Sequence, residues 1–198
     1  MSPVRFIYHN PGGDRRHFVN GDDVAVVLSR LPVELWERLR AVHFNDRSRG
    51  GKVMGYVNRG RREIALCALP PRVSLSAVLR RRRNVRPGRP PVAPSHFGAA
   101  RGQQWPEVAV RRFMLYDTLL HELGHLQVVH PGAKSNRRQF GHERVAEEFS
   151  VTWRRWLWSQ PFDHADPAHH PPGAMEFRAP RGILCPDPRQ AAGAVTRQ

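Results

Sequence analysis

Two histidines and a glutamate stand close together in the sequence HELGH at residues 121–125. On a helix, His121 and His125 are about one turn apart, so both imidazoles project from the same face and can share one metal ion. Glu122 lies beside that face, where its carboxylate can take a proton from metal-bound water and pass it to a leaving group. The motif therefore predicts a peptidase-like hydrolase that binds one Zn²⁺ per chain through His121 and His125, with Glu122 as its general base.

A catalytic zinc ion needs a third protein ligand and one open coordination position. The longer motif HExxHxxGxxH is not met, because Val128 stands at the position of its glycine and Pro131 at that of its third histidine. His130 follows at the end of the same predicted helix, where we expect its side chain to point elsewhere. The candidates for the third ligand are His130, His142, Glu143, Glu147 and Glu148.

Residues 143–147 read ERVAE, and this sequence is similar to the ExxA(D/N/E) pattern of the gluzincin metallopeptidases. In that family a helix after the HExxH helix supplies a glutamate ligand. The resemblance covers about residues 107–158 and is strongest to small soluble bacterial members. It implies that Glu143 is the third zinc ligand and that Glu147, one turn later, orients a ligand histidine. Because Asp or Asn is commoner at the second position, the two glutamates could exchange roles.

We expect residues 1–160 to form one α+β domain with a small, mostly antiparallel sheet, because two strands joined by a turn are predicted. The resemblance implies that this is a zincin-like metallopeptidase domain. The likeness also makes the strand Ile64–Leu69 our candidate for binding the substrate backbone by strand addition. An oxyanion-stabilising side chain is expected among Tyr116, His164, His169 and Arg178. The predicted elements are a strand at 4–8, a helix at 31–42, hairpin strands at 52–57 and 63–69, and helices at 105–129 and 141–159.

Arginine dominates the charge of the chain, in which 32 Lys+Arg against 17 Asp+Glu give a formal net charge of +15. A GC-rich genome encodes basic positions as arginine, so this charge does not by itself indicate nucleic acid. Residues 80–104 lack hydrophobic periodicity and predict a basic loop. The alternative function is therefore a DNA-associated or regulatory protein with a zinc site, which uses Arg80–Arg89 to bind phosphates.

Cys67 and Cys185 are too few for a disulfide framework or a four-thiolate metal site. A deformylase-like zinc hydrolase would need Cys67 as its third ligand, but the Gly-Cys-Leu setting expected there is missing. No signal peptide or membrane span is apparent, so we expect a cytoplasmic enzyme with a peptide or protein substrate. Residues 161–198 are rich in Pro, His and Arg and predict a poorly ordered tail, with a histidine-rich surface loop at 163–170.

Overall fold

The computed structural model describes residues 3–47, 53–73, 93–100, 104–128 and 136–173, with side chains in the last range from residue 141 onward. The predicted α+β class is confirmed. The described strands are β1 (Arg5–Tyr8), β2 (Ala41–Asn45), β3 (Gly55–Asn58) and β4 (Glu63–Cys67). The described α-helices are α1 (Gly21–Arg30), α2 (Glu107–Phe113), α3 (Leu120–Leu126) and α4 (Asn136–Ser159).

The four described strands form one mixed sheet in the order β1-β2-β4-β3. β2 is parallel to both β1 and β4, and only β3 and β4 pair in antiparallel fashion. The prediction of a mostly antiparallel sheet is therefore wrong. The predicted hairpin is correct, but the central strand β2 follows β1 by way of helix α1, and a helical crossover favours parallel pairing.

The first helix begins at Gly21, ten residues before the start of the helix predicted at 31–42. α1 begins after Asn20, whose side chain accepts a hydrogen bond from the Asp23 backbone N–H while the Asp23 carboxylate accepts one from the Asn20 N–H. The helix predicted at 31–42 is wrong, because Pro32 follows the end of α1 instead of beginning a new helix. A short 3₁₀ helix (Val33–Leu35) comes next, and the last two residues of the predicted helix belong to β2.

The sheet buries one face against the helices and leaves the other face partly open. The buried face carries Val42, Phe44, Ile64 and Leu66, all at most 1% exposed. The alternate residues of the same strands line a polar cavity of about 400 Å³ on the opposite face, whose walls include His43, Tyr56, Arg61 and Glu63. The helices, and the HELGH motif with them, therefore lie on the apolar side of the sheet.

A continuous helix carries the motif. α2 passes directly into a π-helical segment (Met114–Leu119), and that segment passes into α3, so residues 107–126 are helical throughout. The predicted helix at 105–129 is thus confirmed apart from its ends, although its π-helical middle was not predicted. α4 ends at Ser159 as predicted and begins five residues earlier than predicted. α3 and α4 make the most extensive contact between any two described elements.

Part of the predicted tail packs on this helix. Residues 161–173 are described, and a 3₁₀ helix (Pro167–His169) buries His169 to 1% exposure. The buried guanidinium of Arg112 donates hydrogen bonds to the backbone carbonyls of Phe97, Pro167 and His170. The folded body therefore extends beyond the predicted boundary at residue 160. The predicted tail after residue 173 and residues 80–92 and 101–103 of the predicted basic loop lie outside the described residues.

The candidate metal centre

Three potential metal ligands converge between α3 and α4. The Nε2 atom of His125 lies 3.3 Å from one carboxylate oxygen of Glu143, and the Nε2 atom of His121 lies 3.5 Å from the other. One ligand atom from each of these three residues lies within 4.8 Å of the others. Both histidine side chains are 6% exposed, whereas that of Glu143 is 36% exposed. The centre is therefore buried on the histidine side and reached by solvent on the glutamate side.

The Glu143 carboxylate is held in its ionised form. Burial by itself opposes ionisation, but hydrogen bonds and the charges of His121 and His125 outweigh it and bring the pKa of Glu143 well below its ordinary value. An ionised carboxylate opposite two imidazoles is the donor set that a zinc ion binds.

Glu147 takes a different position from Glu143. It is one turn further along α4, is 7% exposed, and brings its Oε2 to 3.7 Å from the Nδ1 atom of His121. The two glutamates thus face opposite nitrogens of the His121 ring. A carboxylate on the Nδ1 side is where a partner that orients a metal-binding histidine is found. The geometry therefore favours Glu143 over Glu147 as the ligand.

Gly124, inside the motif, allows α3 and α4 to approach closely. A Cβ atom at this position would lie 2.7 Å from the Ala146 Cα, 2.9 Å from the Phe149 Cβ and 3.0 Å from the Ala146 carbonyl oxygen. Two of these atoms belong to the backbone of α4 and cannot turn aside. A side chain at residue 124 would push apart the helices that carry the histidines and the glutamates.

Glu122, next to His121 on α3, faces the edge strand of the sheet. Its side chain is buried, and its Cγ atom would be 3.5 Å from a Cβ at Gly55, the first residue of β3. That Cβ would also lie 2.7 Å from Thr118 Cγ2 and 2.9 Å from the Ala65 carbonyl oxygen. Glycine thus lets the edge strand β3 come close to the helix that carries Glu122.

The strand predicted to bind the substrate backbone lies inside the sheet and not at its edge. β4, which contains most of the range Ile64–Leu69, pairs with β2 on one side and with β3 on the other. Its backbone hydrogen-bonding groups are therefore used within the sheet. β3 is the edge strand of the described sheet next to the motif, and edge strands are the ones that can pair with a further strand.

Arg59 was not predicted as a site residue. It lies in the turn after β3 and reaches the metal group, which is formed by His121, His125 and Glu143. Its Nη2 atom lies 3.0 Å from Nδ1 of His125, and its Nη1 atom lies 3.1 Å from Nδ1 of His142. A guanidinium only donates, so this contact uses a lone pair on the His125 Nδ1. Binding of a metal through Nε2 would leave the proton on Nδ1 and turn the guanidinium away from that nitrogen.

The other candidate ligands lie away from the shared point. His142 faces Arg59, and the side chain of Glu148 is 60% exposed, with an oxygen 3.8 Å from Arg144 Nε. His130 lies outside the described residues. Cys67 belongs to neither candidate metal group of the described residues, and burial together with the charge of Glu122 raises the pKa of its thiol to about 12. Its environment therefore disfavours the thiolate that metal binding requires.

No family model, curated protein or solved structure matches this chain. The geometry of the metal group, and not a relative of known activity, is thus the basis for assigning a function.

A second group of potential ligands includes His169, which contacts Tyr116. Both residues were predicted as candidates for oxyanion stabilisation. The Tyr116 hydroxyl is 3.1 Å from Nδ1 of His169, and burial raises the pKa of Tyr116 to about 12. Asp23, Asp166 and His169 also come within 4.8 Å of one another. However, Nη2 of Arg111 donates to the carboxylates of both Asp23 and Asp166. A guanidinium therefore already pairs with both carboxylates of this second group.

His164, the third described oxyanion candidate, contacts the second group of potential ligands. The His164 ring packs against His169, with ring centroids 4.5 Å apart, and its Nδ1 accepts a hydrogen bond from the Asp166 backbone N–H. Arg178 lies outside the described residues. Of the four predicted oxyanion candidates, the three described ones therefore belong to the second group or contact it.

A buried ion pair joins the motif helix to α4 one turn before His121. Asp117, in the π-helical segment, is fully buried, and its Oδ1 accepts a hydrogen bond of 3.0 Å from Nη1 of Arg154. Arg154 is seven residues beyond Glu147 on α4, so the ion pair and the His121–Glu147 contact are successive contacts between the same two helices. Residues at both ends of this interface thus fix how the helices lie against each other.

Proposed function

We propose that this protein is a zinc-dependent metallohydrolase that cleaves peptide bonds. The supporting observation is the convergence of the Nε2 atoms of His121 and His125 on the two oxygens of the Glu143 carboxylate. Two imidazoles and one carboxylate leave one position open on a tetrahedral ion, and this is the arrangement of catalytic zinc sites.

The spacing of the three side chains is compatible with a tetrahedral ion such as zinc. Ligand atoms about 2.0–2.1 Å from a tetrahedral zinc ion are about 3.3–3.4 Å from one another. The separations between the histidine nitrogens and the Glu143 oxygens are 3.3 and 3.5 Å. The hard, oxygen-rich sites of magnesium and calcium have a different composition.

Each side chain at the centre has a proposed role. Zinc, when bound, would acidify a water molecule and polarise the scissile carbonyl. Glu122 accepts the proton of the attacking water and returns it to the leaving amine. Glu147 faces the Nδ1 side of His121 at 3.7 Å and would orient that ring when a metal is bound. Gly55 brings the edge strand β3 close to Glu122, so a peptide that pairs with β3 lies along the site.

The decisive experiment measures zinc by elemental analysis in the wild type and in three variants. We expect about one zinc ion per chain in the wild type and in Glu122→Gln, and much less in His121→Ala and Glu143→Ala. Cleavage of a mixed peptide library, followed by mass spectrometry, should fall about 10²–10⁴-fold in Glu122→Gln.

Zinc retained in Glu122→Gln separates a chemical role of Glu122 from a structural one. Wild-type protein purified without chelators that carries no zinc would contradict the proposal. It would then favour the alternative of a nucleic-acid-associated protein that binds through Arg80–Arg89.

A further inference from the structure

Arg59 is a charged residue at the metal centre that the proposed hydrolysis does not use. It is half-buried and follows the edge strand β3 by one residue. Its two Nη atoms contact His125 of α3 and His142 of α4. The guanidinium is therefore held between the two helices that supply the proposed zinc ligands.

Arg59 differs in its partners from Arg15 and Arg111, two other half-buried arginines. Arg15 pairs with Asp46, and Arg111 pairs with two aspartates. Within the described part of the chain, the hydrogen bonds of Arg59 end on histidine nitrogens and on no carboxylate. These contacts use two of the five N–H groups of a guanidinium, and metal binding at Nε2 of His125 would release one of the two, so at least three are available for a ligand. A half-buried guanidinium with N–H groups still available is suited to bidentate binding of a carboxylate.

The position of Arg59 along β3 limits where such a carboxylate would lie in a substrate. Gly55, at the start of β3, is the strand residue next to Glu122, and Arg59 comes four residues later. Four residues of strand span about 13 Å. A peptide paired with the outer edge of β3 and cleaved beside Glu122 therefore places one of the next four residues beside Arg59.

We propose that Arg59 recognises an acidic side chain of the peptide substrate, within four residues of the scissile bond. This inference rests on the proposed peptide hydrolysis and names the substrate class of that same site. The formal net charge of +15 adds a long-range attraction for acidic substrates.

The arrangement of the turn favours a peptide over a nucleic acid. Arg61, two residues later, lines the polar cavity on the opposite face of the sheet. The two arginines therefore do not form one row along which a phosphate backbone could lie. Arg61 consequently offers a matched control: Arg61→Gln removes the same charge from the same turn on the side away from the metal centre.

The test uses zinc-loaded full-length protein and tetrapeptide amides capped with a hydroxamate, which anchors them to zinc. One set carries a single Glu at each of the four positions in turn, and a second set carries Gln there. Dissociation constants are measured for wild type, Arg59→Gln, Arg59→Lys and Arg61→Gln. We expect one Glu peptide to bind the wild type at least about tenfold more tightly than its Gln counterpart. This preference should disappear in Arg59→Gln, return in part in Arg59→Lys and persist in Arg61→Gln.

Three results would overturn the inference. In the first, Glu and Gln peptides bind the wild type equally at all four positions; in the second, Arg59→Gln keeps the preference. In the third, a single-stranded dT oligonucleotide displaces the Glu peptide from the wild type but not from Arg59→Gln, which would make Arg59 a nucleic-acid contact. Zinc is measured in every sample, because its absence would contradict the hydrolase proposal as well, whereas equal binding with zinc present contradicts this inference alone.

Discussion

Two groups of acidic residues and histidines in the described structure look alike by distance, yet their surroundings differ. Each brings three potential metal ligands within 4.8 Å: His121, His125 and Glu143 in one group, and Asp23, Asp166 and His169 in the other. In the second group Arg111 donates to both carboxylates. In the first, Arg59 lies on the Nδ1 side of His125, away from the Nε2 that faces Glu143. The position of the arginine, more than the ligand types, distinguishes the ion-pair network from the proposed metal site.

The largest effect should come from removing one member of each group. His125→Ala deletes a proposed ligand, so we expect loss of bound zinc at micromolar zinc concentrations. Asp166→Ala should keep about one zinc ion per chain, because its carboxylate is already paired with Arg111. Elemental analysis and titration against a competing chelator measure both. Two zinc ions in the wild type, reduced to one by Asp166→Ala, would erase the distinction between the groups.

Asp117 resembles the carboxylates of the second group, because its buried carboxylate also pairs with an arginine, Arg154. Arg154→Met would remove the guanidinium that donates to this buried carboxylate, so we expect the free energy of unfolding to fall by about 3 kcal/mol. Urea denaturation measures the change. Arg155→Met, which alters the exposed neighbour on α4, serves as the control and should stay within about 0.5 kcal/mol of the wild type. Equal values for both variants would show that the ion pair is not needed.

The first group depends on the closeness of two helices, and Gly124 tests this. Gly124→Ala places a methyl group 2.7 Å from the Ala146 Cα, so we expect a loss of about 1–3 kcal/mol in the free energy of unfolding, together with weaker zinc binding. Gly141→Ala is the matched control, because a Cβ there meets nothing within 4 Å and alanine favours a helix by about 1 kcal/mol. Unchanged zinc affinity in Gly124→Ala would mean that the helices can separate without disturbing the ligands.

The smallest effect is the response of the second group to acid. Burial opposes ionisation of Asp23, but hydrogen bonds from His169, the Asn20 N–H and Arg111 outweigh it and lower the pKa of Asp23. The stability that this carboxylate contributes is present above its unfolded pKa of about 3.9 and is lost as the pH falls through the lower folded value. Asp23→Asn should therefore be less stable than the wild type at pH 7, with a smaller difference near pH 3. Urea midpoints across this range would show a constant difference if Asp23 were not involved.

The sequence located the proposed ligands better than it located the sheet. His121, Glu122 and His125 are one local pattern on one helix, so their proximity needs only the helical period. Glu143 came from a family resemblance, and its place opposite both histidines depends on helix packing through Gly124 and Ala146. No local spacing predicts that contact.

The errors have identifiable physical sources. Pro32 is compatible with a helix start and with the residue after a helix end, and the capping residues Asn20 and Asp23 were the signal that decides between them. The apolar run of β4 was read as an edge strand, but strand order depends on long-range pairing with β2. Arg59 was missed because it lies 66 residues before His125, and only the fold brings the two side chains together.

The π-helical segment Met114–Leu119 sets the rotational phase of the motif helix. Its hydrogen bonds span five residues instead of four, which amounts to one residue inserted into an α-helix, or a rotation of about 100°. α2 is fixed on one side of this insertion by Arg111 and Arg112, and α3 presents the histidines on the other. Deleting one residue here would leave every proposed ligand in the chain yet turn His121 and His125 away from Glu143. The proposed metal centre thus depends on the number of residues between α2 and α3 as much as on their identity.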